Sequence, residues 1–330
     1  MRRCLKSALR GAVVVLTIGT ATAAASLMAG SLEAGARAAV AVRRAVTTTT
    51  ILEDLVRQVA GEAWSVVSLI PVGADPHAYQ PGPADAKRLA GAELVVMVGA
   101  GLEPAALSRL VKSAPPEVTV LELAPRVALR WDEIAAEGDE ASGGGHAHEH
   151  GEKAGWDPHF WWSVPRVAMA VELIADSLAR IDPAGEAGYR ARAAAYRERL
   201  RALDGWIRQQ VATIPPERRL LVTNHDALGH LAVEYGFTVV GTVLPGTSTL
   251  AEASAAGIAR LLQRIRSLPV GAIFAEATAS PVVAERVSRE AGLPLVTLYT
   301  GSLGPPGSGA ETYEGFMRTN VRRIVEALRP

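Results

Sequence analysis

The chain is almost without cysteine: Cys4 is the only one in 330 residues. It precedes the first apolar run instead of following it, the wrong place for a lipid-anchored cysteine. Once a leader is removed, no disulfide, metal thiolate or cysteine nucleophile is left. An excess of either charge is also lacking, with 34 basic and 34 acidic residues. The stretch before Ala38 holds five basic residues and one acidic, so a chain cut there carries 29 against 33, about four net negative charges. Nothing in that balance suggests nucleic acid, which would want a basic face. There is no His-Glu-x-x-His helix and no Gly-x-Ser-x-Gly turn, the marks of common zinc and serine hydrolases. Gly99-Ala100-Gly101 lacks the third glycine of a nucleotide fingerprint and reads as a strand-to-helix turn. No repeat or exposed apolar tract argues for an adhesive surface module.

What is present begins with an export signal. Arg2, Arg3, Lys6 and Arg10 lead into an Ala-rich apolar run over residues 11–30. Small residues suitable for cleavage recur between Ala21 and Ala39, which puts a cleaved signal peptide at about 1–38; an uncleaved anchor of marginal length is the alternative. The protein is therefore expected outside the cytoplasm, periplasmic or otherwise extracytoplasmic. With 49% apolar residues, the remainder can bury a core large enough for two lobes.

Apolar runs then alternate with helical patterns, the signature of parallel sheets with crossover helices. Strands are expected at residues 42–49, 64–70, 94–98 and 118–123, with helices at 52–60, 84–90 and 104–112 between them. A second set of strands follows at 219–223, 238–243, 271–275 and 295–298. Between the sets, Tyr189, Ala193, Tyr196, Leu200, Leu203, Ile207 and Val211 recur at spacings of three and four, one apolar face of a long helix that Pro215 and Pro216 end. The predicted fold is α/β: two similar lobes, each with a mostly parallel four-stranded sheet, at 39–184 and 214–330, joined by one rigid helix over 185–213. Such a connector resists hinge bending.

Three histidines lie far apart, each beside an aspartate: Asp75-Pro76-His77, Asp157-Pro158-His159 and His225-Asp226. Neutral imidazole is a good ligand for zinc, at about 2.0 to 2.1 Å, and a nearby carboxylate can orient the ring through its second nitrogen. On the predicted scaffold His77 and His225 follow strands at carboxyl ends, where open parallel sheets bind ligands, and His159 lies in a loop able to face the same cleft. Any one of them alone reads as a structural histidine; the shared context makes them one metal site.

Other signals are less decisive. Gly143-Gly144-Gly145-His146-Ala147-His148-Glu149-His150, within a loop at 143–151, is a flexible imidazole tract that either collects metal transiently through His146, His148 and His150 or is simply solvated. Trp156, Trp161 and Trp162 either wall the cleft or pack lobe against lobe. His230 reads as structural. Glu276, at a strand end on the ligand edge, either ligates or pairs with an arginine.

Residues 73–81 around Asp75-Pro76-His77, residues 156–161 around Asp157-Pro158-His159, and Asn224-His225-Asp226-Ala227 resemble the metal-binding segments of the zinc and manganese ABC-transporter substrate-binding proteins, ZnuA- and TroA-like, of the zinc-uptake type. The tail from Leu298-Tyr299-Thr300 through Thr312-Tyr313-Glu314-Gly315-Phe316-Met317 resembles that family too, and similarity runs from about Ala45 to Leu328. The resemblance implies capture of a divalent metal and its delivery to the membrane permease of an ABC transporter. It puts His77, His159 and His225 at the first three ligand positions. A histidine at the third favours Zn2+ over Mn2+ as the transported ligand, as does a histidine-rich loop before the second. The protein is then a monomer and not an enzyme.

The departure is Gly301, where that family presents an aspartate as fourth ligand. Water, Glu276 or a loop histidine is left to complete a tetrahedron, and restoring the aspartate is expected to tighten zinc binding. Three histidines with an open position also describe catalytic zinc, so an exported zinc-dependent hydrolase stands as the alternative, and an adhesin-type surface protein as a third.

Overall fold

A computed structural model describes residues 42–135, 155–246 and 248–330. The export signal at 1–38 and the loop histidines His146, His148 and His150 lie outside the described residues. The first sheet contains β1 (Arg43–Thr47), β2 (Trp64–Ser68), β3 (Leu94–Met97) and β4 (Thr119–Glu122), all parallel, in the order β2-β1-β3-β4. Crossovers are made by α1 (Thr50–Ala60), α2 (Pro83–Ala90) and α3 (Ala105–Lys112), and a short α4 (Ala124–Val127) follows β4. After α5 (Val164–Ile181) and α6 (Glu186–Val211) the second sheet repeats the plan. Its strands β5 (Leu220–Thr223), β6 (Thr238–Thr242), β7 (Ile273–Glu276) and β8 (Leu295–Leu298) are also parallel, in the order β6-β5-β7-β8. Here the connecting helices are α7 (Gly229–Tyr235), α8 (Ala255–Ser267) and α9 (Val282–Ala291), and α10 (Tyr313–Leu328) closes the chain. The expected fold class is the observed one.

The strands are apolar because helices cover both faces of a parallel sheet. Leu94, Val95, Val96 and Met97 of β3 are all buried. Helix starts are set by capping hydroxyls: Thr49 accepts from Leu52 N at 3.3 Å and opens α1, and Ser163 accepts from Arg166 N at 3.4 Å and opens α5. At residues 99–101 the chain turns through φ of 79°, 51° and 82°. The Glu103 carboxylate accepts from Val98 N and Gly99 N at 2.8 and 2.9 Å, and Glu122 Oε1 accepts from Ala100 N at 3.4 Å. This is the expected strand-to-helix turn, and two carboxylates, Glu103 and Glu122, take its amides.

α6 has 26 residues, roughly 39 Å at 1.5 Å per residue. All seven residues of its expected apolar seam, Tyr189 to Val211, are buried. Each of the four aliphatic ones contributes about 1.5–3 kcal/mol. The ion pairs on its outer face, such as Arg208 with Asp204 at 2.9 Å, contribute about 0–1 kcal/mol each, so apolar packing holds the helix in place. One continuous core runs from Ala45 and Leu94 through Ile174, Leu203 and Trp162 to Phe274, Phe316 and Leu328, so both sheets are built onto it. Among the described residues no helix is long and apolar enough to cross a membrane.

Candidate metal centre

His77 lies in the loop after β2, His225 in the loop after β5, and His159 just before α5. All three are buried, at 7%, 1% and 2% exposure for His77, His159 and His225. Their rings converge. His159 Nε2 stands 3.3 Å from His77 Nε2 and 3.4 Å from His225 Nε2. The three form the one group among the described residues in which potential metal-binding atoms all lie within 4.8 Å of one another.

The hydrogen bonds behind two of these rings decide what faces the centre. His159 Nδ1 is 2.8 Å from Asp157 Oδ1, and His225 Nδ1 is bonded to Glu276 Oε1. An ionised carboxylate only accepts, so each Nδ1 carries the proton and each neutral ring points an Nε2 lone pair inward. Two lone pairs 3.4 Å apart repel each other unless a cation lies between them. A proton is the competitor for that place. His77, whose burial and whose neighbours His159 and His225 all oppose charging, has its pKa held down to about 2. Burial pulls the His225 pKa the same way, but the Glu276 carboxylate overcomes it and the net direction is up. Glu276, despite burial, is held below the usual range by His225 and by the Thr300 hydroxyl, which donates to Oε2 at 2.7 Å.

The aspartates beside the histidines do not all act as the sequence suggested. Asp157 orients its own His159 through the ring. Asp75 accepts from His77 N at 2.9 Å and does not touch the ring, whose Nδ1 has no hydrogen-bond partner among the described residues. His225 takes its carboxylate from Glu276, 51 residues on, and not from its neighbour Asp226. The only advance signal for that was the position of Glu276 at a strand end on the ligand edge. Glu276 thus pairs with a histidine and a threonine, and not with an arginine.

Trp161 serves both roles set out for the tryptophans. Its ring stands edge-on to His159 with centroids 5.3 Å apart, and its Nε1 donates to Thr300 O at 2.9 Å across the lobes. Trp162 packs on Phe316 in the core. His230 is buried, with Nε2 3.2 Å from Asp157 O, and props the segment that holds His159. At Gly301 a Cβ would lie 2.7 Å from Pro76 Cγ and Cδ. The absence of a side chain there lets the residue before His77 sit against the second lobe.

Fold and site together define a two-lobed α/β binding protein with an imidazole cage between two parallel sheets. Residues 45–327 match the family described as ZnuA, zinc-uptake complex component A, periplasmic. The chain belongs to this family and is the substrate-binding component of a metal ABC transporter. Among its relatives, the manganese-binding lipoprotein MntA of Halalkalibacterium halodurans is 34% identical over 284 residues, 86% of this chain and 87% of that protein. MntA of Bacillus subtilis is 31% identical over 290 residues, 86% of this chain and 88% of that one. The solved periplasmic zinc binding protein TroA from Treponema pallidum superposes with a TM-score of 0.74 at 27% identity, over 87% of this chain and 99% of its own. The family consists of binding proteins, not enzymes, which sets aside the hydrolase reading; nothing favours the adhesin.

Proposed function

We propose that this protein captures Zn2+ outside the cytoplasmic membrane through His77, His159 and His225, and hands it, as a monomer, to a permease. The observation that carries the choice of metal is the spacing of the nitrogens. Zinc bound at 2.0 to 2.1 Å in a tetrahedron sets its ligand nitrogens roughly 3.3 to 3.4 Å apart, and the two Nε2 separations here are 3.3 and 3.4 Å. Three neutral imidazoles with no carboxylate in the cage also suit zinc better than manganese, which prefers oxygen ligands. Water completes the shell in this reading. The lobes at 39–184 and 214–330 supply His77 with His159, and His225, respectively, and the helix at 185–213 keeps their separation constant. Export by the N-terminal signal and transient collection by His146, His148 and His150 belong to the same reading.

Relatives named for manganese make the competing ion explicit. The test is metal analysis of protein purified without chelator, followed by competition between Zn2+ and Mn2+. One zinc per chain and a clear zinc preference are expected; manganese binding at least as tightly overturns the choice of metal. Zinc at a hundred times its Kd should add about 2.7 kcal/mol to stability and raise the Tm, and an unmoved Tm argues against a native-state site.

A further inference from the structure

The three imidazoles are not held alike, and the difference points to where the cage opens. A buried site exchanges metal only if part of its wall moves. His159 and His225 are fixed from behind by Asp157 and Glu276, buried at 0% and 6% exposure. His77 is instead carried by the loop over residues 71–82, whose outer residues Pro71, Val72, Gly73 and Gln80 are exposed.

Two hydrogen bonds tie that loop to the second lobe. At one, Gly73 N donates to Ser302 Oγ at 2.9 Å. Ser302 is anchored, since it lies within reach of Thr50 Oγ1 at 3.3 Å and donates to Leu303 O at 2.9 Å. At the other, Thr249 Oγ1 donates to Asp75 Oδ2. Asp75 uses its remaining oxygen, Oδ1, to accept from His77 N, so one carboxylate joins Thr249 to the ligand's backbone.

Thr249 is the weaker end. It sits at the tip of the loop between β6 and α8, in a tight turn closed by Ala251 N to Ser248 O at 3.3 Å and by Leu250 N to Ser248 Oγ at 3.2 Å. Among the described residues, the bond to Asp75 is the only hydrogen bond that leaves residues 248–253. The adjoining Leu250 is 67% exposed.

We infer that Thr249 is a positioning residue for metal retention: by holding the Asp75 carboxylate it keeps His77 closed over the ion, and breaking this bond between the lobes is the step that sets how fast metal leaves. The gate is then a loop, and the lobes need not rotate about α6. This rests on the proposed metal site, deepening it by naming the element that controls release.

The test compares the full-length wild type with Thr249→Val, which keeps the shape and removes the hydroxyl, and Thr249→Ser, which keeps the hydroxyl. Zinc dissociation is followed by stopped flow into excess chelator, with association and metal-free Tm measured alongside. A hydrogen bond to a charged group is worth enough that Thr249→Val should release zinc about tenfold faster or more, with association changed less than about threefold. Thr249→Ser should restore the slow release, and the metal-free Tm should stay the same, because a purely structural role would lower it. Wild-type release rates in Thr249→Val, equal acceleration in Thr249→Ser, or a fall in metal-free Tm that accounts for the change overturns the inference. Failure of the wild type to bind zinc at all is a different result and overturns the metal site itself.

Discussion

The two Asp-Pro-His tripeptides are identical in sequence and unlike in what they become. In both, the histidine amide donates to Oδ1 of the aspartate two residues before it, at 2.9 Å for His77 and 3.0 Å for His159. In the second, that same oxygen also reaches the ring Nδ1, and the pair is sealed beneath Trp161 and His230. In the first, the ring is free behind and the other carboxylate oxygen turns outward to Thr249. One motif therefore makes a fixed wall and the other a movable one. Local hydrogen bonding specifies the turn, while the surroundings specify whether the ring is also held.

The largest effect that can break this contrast is loss of a fixed ligand or its carboxylate. Orienting partners of metal-binding histidines are typically worth 10- to 100-fold in affinity. Asp157→Asn and Glu276→Gln should each weaken zinc binding in about that range, and His225→Ala by more. Asp75→Asn, which acts on His77 only through its backbone, should cost less at equilibrium and show itself in faster release. Equal equilibrium losses for all three carboxylates, measured by competition titration, would erase the distinction between the walls.

A middle-sized effect is the pH dependence of metal-free stability. His77 titrates at about 2 in the folded protein and near 6.5 when unfolded, so between these values the unfolded chain holds the extra proton. Its contribution to stability is complete above about pH 6.5 and is lost as pH falls towards 2. His225, with a raised pKa, acts in the opposite sense and favours the folded state at lower pH. Denaturant titrations across pH 4–7 should therefore show a shallower loss of stability in His77→Gln than in the wild type. Parallel curves would mean that His77 is not buried in the neutral form. With metal present, affinity should fall with pH as protons compete for the same lone pairs.

The smallest effect concerns Gly301. The Cβ of an aspartate there meets Pro76 Cγ and Cδ at 2.7 Å, so Gly301→Asp must displace the residue that precedes His77. Against the tightening expected from sequence, the single substitution should leave zinc affinity unchanged or weaker. Pro76→Ala removes both of the crowded atoms. Combined with Gly301→Asp it should tighten binding on the order of tenfold relative to Gly301→Asp alone. A single substitution that already tightens would show that the loop carrying His77 yields easily even at Pro76.

Much of this was legible in the chain because the signals were periodic or repeated. Seven apolar positions spaced by three and four placed α6, and its ends differ from the expected 185–213 by Gly185, which lies in the preceding turn, and by Ala212 and Thr213, which leave the helix ahead of the prolines. β7 was displaced, expected at 271–275 and observed at Ile273–Glu276, because pairing with β8 in register Ile273 to Leu295 starts the strand later than its apolar run. Glu276, expected at that strand's end, is its last residue and meets His225 there.

The amino-acid sequence by itself determined the two parallel sheets, the helix joining them and the placing of His77 and His225 after strands with His159 in a loop before a helix, since hydrophobic period and motif context are local properties of the chain. Which carboxylate orients which ring was decided only in three dimensions. Glu276 reaches His225 because β7 lies beside β5, and Thr249 reaches Asp75 because loops from two different sheets meet at one edge. Neither contact leaves a trace in sequence spacing, because a hydrogen bond depends on distance in space and not on distance along the chain.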